Sequence, residues 1–171
     1  MSNWKSDKRW SDRFIIPIKK ILGEIFIEES NYEDDALRNT DLMVFSINPI
    51  RIGCRIRRHS YFCNEKYRYQ FTIRTSRPSG RETELSKILS GWGDYFFYGF
   101  CNESETNLEY WVLIDLTTFR KWFSGYLIKN KQIPGIAKGN FDNSSSFRVF
   151  EYEDMPVDVF KETIHTLGGH K

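Results

Sequence analysis

Cysteine is scarce, and its count is odd: Cys54, Cys63 and Cys101 are the only three, with no closely spaced pair. That excludes a disulfide framework and points to reduced thiols in a cytosol. Long hydrophobic runs are missing too. None approaches the ~20 residues of a membrane-spanning helix, so no membrane partner is expected. Met1 to Arg13 is polar and charged, unlike a signal peptide, so an intracellular, cytoplasmic protein is expected. There is no glycine-rich phosphate loop, because Gly91-Trp92-Gly93 is a helix exit without the rest of a nucleotide fingerprint. Internal repeats and compositional breaks are absent, so residues 1–171 read as a single domain.

One further scarcity is local. Between Arg51 and Arg81 the only carboxylate is Glu65, against Arg51, Arg55, Arg57, Arg58, Lys66, Arg68, Arg74, Arg77 and Arg81. The stretch Glu24 to Asp35 is the opposite, with Glu24, Glu28, Glu29, Glu33, Asp34 and Asp35. The net charge of +2 therefore hides a basic middle beside an acidic stretch. What the chain has in quantity is apolar and aromatic surface. Hydrophobic residues make up 40% and aromatics 16%, enough for a core of large side chains.

Periodicity places the elements. Phe14, Ile15, Ile18, Ile21, Leu22, Ile25 and Phe26 have helical spacing, which predicts a helix from Trp10 to about Ile27. Ser11 suits its N-cap, Pro17 its first turn or a kink, and Gly23 its end, with Glu24 to Glu29 as a short strand. Asp41 to Ile47 is apolar on both faces, as a central strand is, and Asn48-Pro49 is a turn signal that predicts a hairpin with the next run. In that run Ile50, Ile52, Cys54 and Ile56 alternate with Arg51, Gly53, Arg55 and Arg57. Tyr67, Tyr69, Phe71 and Ile73 then alternate with Arg68, Gln70, Thr72 and Arg74, so two neighbouring strands are each expected to put arginines on one face. A helix follows from Glu82 to Ser90. Buried strands are expected at Tyr95–Phe100 and Trp111–Leu116, then a helix capped by Thr117. Residues 129–146 read as an exposed loop and 154–167 as a C-terminal helix.

The order of these elements resembles the core of the PD-(D/E)XK nuclease-like superfamily, with Holliday-junction resolvases and small phage nucleases as the nearest look. The residues carrying it are Thr40-Asp41-Leu42-Met43-Val44, then Ile52-Gly53-Cys54-Arg55-Ile56-Arg57, then the helix Thr83-Glu84-Leu85-Ser86-Lys87, within residues 10–122. The resemblance implies an α/β fold, a mixed central sheet flanked by helices with an αβββαβ core. It implies Mg²⁺ as cofactor, DNA as partner, and dimers, as resolvase-like relatives commonly form. Asp41 matches the first metal carboxylate, and Arg55 stands in the lysine position, two residues after the position of the family's glutamate. That glutamate position is Gly53. With the register moved by one pair, Arg55 and Arg57 fill both positions. Glu84, or Glu24 or Glu28, is then the candidate second metal ligand beside Asp41, and Lys87 a further cation.

The residues and the resemblance together give two readings. In the first, Asp41, Arg55, Arg57, Glu84 and Lys87 form a Mg²⁺-dependent endonuclease site. Arg51, Arg58, Arg68, Gln70, Arg74, Arg77 and Arg81 contact nucleic acid. In the second, the chain is a catalytically silent relative that binds nucleic acid or a host protein, as a viral inhibitor does, because arginine is a poor general base and one aspartate is a poor Mg²⁺ site. A zinc site from Cys54, His59, Cys63 and Cys101 lacks ligand spacing. A Cys-His nucleophile has no support in the local sequence, and the aromatic residues Trp92 to Tyr98 read as core.

Overall fold

The computed structural model describes residues 4–29, 42–44, 50–80, 82–142 and 145–165, with the backbone alone at 4–5, 25–29, 42–44 and 162–165. Asp41, Arg81, the acidic loop after Ser30 and the Asn48-Pro49 turn lie outside the described residues. The chain divides into two compact units, Asn3–Ile50 and Arg51–Lys171.

In the first unit, two helices replace the single one expected: α1 (Trp4–Asp12) and α2 (Ile15–Phe26). A turn separates them, in which Phe14 N–H donates to the Ser11 carbonyl. Phe14 is fully buried, with the Trp10 ring edge-on at 5.2 Å. Pro17 is the third residue of α2, where no intrahelical N–H is needed. Gly23 does not end the helix, which runs on to Phe26. Strand β1 (Ile27–Glu29) pairs antiparallel with β2 (Leu42–Val44). The turn of the expected hairpin between the Asp41 run and the Arg51 run lies outside the described residues; the described part of the Asp41 run, β2, pairs with β1.

The second unit is mixed α/β. Its main sheet has the order β3-β5-β6-β9, from β3 (Ile52–Arg57), β5 (Tyr95–Cys101), β6 (Leu108–Asp115) and β9 (Phe160–His165). Strands β3 and β5 run parallel with Gly53 opposite Phe96 and Arg55 opposite Tyr98, and the other pairs are antiparallel. A parallel pair needs a long crossover. Here it carries α3 (His59–Phe62), α4 (Glu65–Arg68), β4 (Gln70–Ser76) and α5 (Glu84–Leu89). Strand β4 belongs to a second, antiparallel sheet of order β4-β8-β7, with β7 (Ile136–Gly139) and β8 (Ser146–Glu151). The two arginine-bearing strands thus lie in different sheets rather than side by side.

The core lies between these sheets and under α6 (Leu116–Asn130). Phe71 and Ile73 from β4, Phe96, Tyr98 and Phe100 from β5, and Phe119 and Phe123 from α6 form one buried cluster. Phe71 stacks on Phe150 at 5.2 Å and meets Phe119 edge-on at 5.9 Å. The opposite face of β5–β6 is also apolar, with Phe97 stacked on Trp111 at 5.3 Å. This burial on both faces explains why these strands read as continuous apolar runs.

Four other expectations are corrected. The β4 run does not start at Tyr67, because Asn64 caps a helical turn by accepting from Lys66 N–H, and this takes Arg68 out of the strand. The stretch 129–146 is not all loop, since β7 pairs with β8. The C-terminal helix is absent: Val157–Val159 is a 3-10 turn and β9 follows, pairing with β6. Without β9, β6 would present a bare edge of N–H and C=O groups. Helix α6 is capped by Asp115, whose carboxylate accepts from Thr118 N–H at 2.8 Å, and not by Thr117. The expected α5 is present, capped by Thr83 and left through Gly91 at φ +93°.

Candidate functional site

Arg55, Arg74, Arg77 and Glu84 come together where β3 faces β4 and the first turn of α5. Arg55 donates from Nη2 to Glu84 Oε2 at 2.7 Å and from Nη1 to the Thr72 carbonyl at 2.9 Å. The same Glu84 oxygen accepts from Arg74 N–H at 3.1 Å. Both sequence elements matter here. The period of two on β3 puts Arg55 on the side of Tyr98, and the Thr83 cap points the first turn of α5 back at β4. Thr72 Oγ1 lies 3.4 Å from the Tyr98 hydroxyl, so the cluster rests on the polar rim of the aromatic core.

The charges in this cluster do not balance. Burial pushes the Arg74 guanidinium below its ordinary value. The positive charges of Arg55 and Arg77 push the same way, and Glu84 opposes them. Arginine stays protonated regardless. Among the described residues the result is three guanidiniums about one carboxylate, a place where an incoming anion relieves repulsion.

The other expected arginines are dispersed. Arg57 lies over the Tyr61 ring at 3.9 Å, Arg51 over Trp92 at 5.6 Å and Arg68 over Phe62 at 4.6 Å. Arg68 also donates to the Phe62 carbonyl, and Arg58 pairs with Glu105. Gln70 is buried and donates to the Lys66 carbonyl, so it holds the chain rather than facing a ligand. Lys87 is exposed on α5, and Glu84 pairs with Arg55 instead of with it.

The Mg²⁺ implied by the nuclease resemblance does not fit the described residues alone. Glu84 is the one carboxylate of this cluster, and its Oε2 is taken by a guanidinium and an amide. Among the described residues no three His, Cys, Asp or Glu side chains gather as a metal site. Mg²⁺ wants several oxygen ligands in octahedral geometry. Asp41 lies outside the described residues. At Gly53, where the resemblance asks for glutamate, a Cβ would stand 3.1 Å from Phe96 Cδ2.

A second constellation was not expected. His59 and Cys63 of the α3 turn meet Glu109 of β6. The signal was present as a His and a Cys four residues apart, which share a face only if the segment is helical.

Comparison with known proteins gives no family: no family model matches the chain, and no curated protein or solved structure matches it. The fold and the cluster define a mixed α/β protein with a rim of excess guanidinium charge. Among the described residues no helix is long and apolar enough to cross a membrane.

Proposed function

We propose that the chain binds nucleic acid, DNA in the first instance, through phosphate contacts made by Arg55, Arg74 and Arg77. The observation that carries this reading is the three-to-one ratio of guanidinium to carboxylate on a partly exposed rim. Guanidinium forks match phosphate oxygens, and a phosphate there offsets the mutual repulsion of the arginines. Arg51 over Trp92 and Arg57 over Tyr61 add flat cationic surfaces at opposite ends of β3. Descent from a PD-(D/E)XK nuclease is part of the proposal, with Asp41 as the residue that would supply the missing carboxylate. Since the described residues do not make a Mg²⁺ site, binding and not cleavage is the function proposed.

The test is fluorescence anisotropy with duplex and single-stranded oligonucleotides, in EDTA and across a salt series. Binding should survive EDTA and weaken steeply with salt, and Arg74→Ala and Arg77→Ala should each flatten the log–log salt slope by about one. Absence of salt-dependent binding to both DNA and RNA sinks the proposal. Cleavage that appears with Mg²⁺ and vanishes in Asp41→Ala would replace it with the nuclease reading.

A further inference from the structure

Cys63, His59 and Glu109 stand in a line. Cys63 Sγ is 3.0 Å from His59 Nε2, and His59 Nδ1 is 2.8 Å from Glu109 Oε2. The arrangement follows from local structure. His59 opens α3 and Cys63 closes it, with Cys63 N–H donating to the His59 carbonyl at 3.1 Å, so one helical turn stacks the two side chains. Glu109 lies between buried Leu108 and buried Tyr110 on β6, and strand alternation sends it to the other side, toward His59. The Cys101 thiol, close to the His59 backbone, is buried. Glu109 Oε2 is close to His59 Nδ1 but does not make a well-aligned hydrogen bond with it.

Beside the imidazole is an open hollow of about 500 Å³ lined by His59, Asn102, Glu103, Ser104 and Glu109. Cys63 is exposed. The base and the carboxylate line this space, and the exposed Cys63 thiol stands at the other ring nitrogen. No large apolar side chain lines it to hold a long aliphatic chain.

We propose that Cys63 is a nucleophile for short acyl groups carried as esters or thioesters, with His59 as its base and Glu109 as a positioning residue. The Cys63 S–H proton passes to His59 Nε2 while the sulfur pair forms a bond to the carbonyl carbon and the C=O pair moves onto oxygen. Collapse restores C=O and breaks the bond to the alcohol or thiol, which leaves with the proton from His59. The products are S-acyl-Cys63, a neutral alcohol or thiol, and neutral His59. Water attacks the thioester by the same route and regenerates the thiol.

The test uses 4-nitrophenyl acetate on the full chain at neutral pH, with each acetylated cysteine mapped by mass spectrometry. The native rate at Cys63 is compared with its rate in the same chain unfolded in urea. A native rate at least about tenfold the unfolded rate is expected, since a placed base contributes that much or more. His59→Gln should bring the native rate down to the unfolded level while Cys101 stays protected, and Glu109→Gln should lower it part-way. Buried Cys101 serves as the internal report on folding, and if His59→Gln exposes it, the wild-type ratio and Glu109→Gln decide alone. A native Cys63 no faster than the unfolded one overturns the proposal. So does a folded His59→Gln variant that reacts like wild type.

Discussion

Glu84 sets the chemistry of the guanidinium cluster more than any arginine in it. Among the described residues it is the single carboxylate there, bridging Arg55 on β3 and the Arg74 amide on β4. Glu84→Gln should strengthen DNA binding at low salt, because it removes the anion that competes with phosphate. It should also lower stability by about 1–3 kcal/mol, the range for losing hydrogen bonds to a charged group. Anisotropy and thermal melts on one preparation read the two opposite effects. Gly53→Glu tests the nuclease resemblance at its weakest position. With Phe96 Cδ2 only 3.1 Å from where its Cβ would stand, the substitution should cost about 1–3 kcal/mol in urea unfolding. At this scale alternation made Arg55 and Arg74 visible in the sequence, and Glu84 entered as a candidate through the nuclease resemblance. The Cys63–His59–Glu109 line was not, because residues 59–63 lie between two strands and show no helical apolar pattern. Glu109 adds a contact across the fold that local spacing does not encode.

Elements were legible where one force dominated. The Tyr95 and Trp111 runs are strands because both faces are buried, and α5 has its cap, its apolar stripe and its glycine exit in place. Misreadings fell where a partner decided. Val157 to Ile164 has apolar residues that fit a helix, yet the open edge of β6 draws this segment out as β9. The two candidate caps of α6 give a direct comparison. Asp115→Ala should lose about 1 kcal/mol, since its carboxylate accepts the Thr118 N–H. Thr117→Ala should stay within ~0.5 kcal/mol, since Thr117 is exposed and serves only a contact from Arg120. Equilibrium denaturation of the pair checks both.

Over the whole second unit, the aromatic core links stability to alkaline pH. Burial pushes the Tyr110 phenol up to about 12, and burial raises Tyr152 well above its ordinary value. An unfolded tyrosine ionises near 10, so between there and about 12 the unfolded chain sheds protons that the folded chain keeps. Stability from these groups is therefore complete below pH ~10 and lost as the pH rises through the folded values. Circular dichroism followed from pH 8 to 12 should show unfolding together with tyrosinate absorbance. Tyr110→Phe should move that transition upward unless the lost hydroxyl contact unfolds the chain at neutral pH, which the same spectra report. Strand β3 has a different consequence at this scale. Among the described residues it pairs on one side only, with β5, and Arg55 and Arg57 lie along it. Strand edges left bare invite other chains to add on, and charge along them is the usual deterrent. Replacing these arginines to abolish binding would thus also remove a barrier to aggregation. A double alanine variant should scatter light at concentrations where the wild-type chain stays clear.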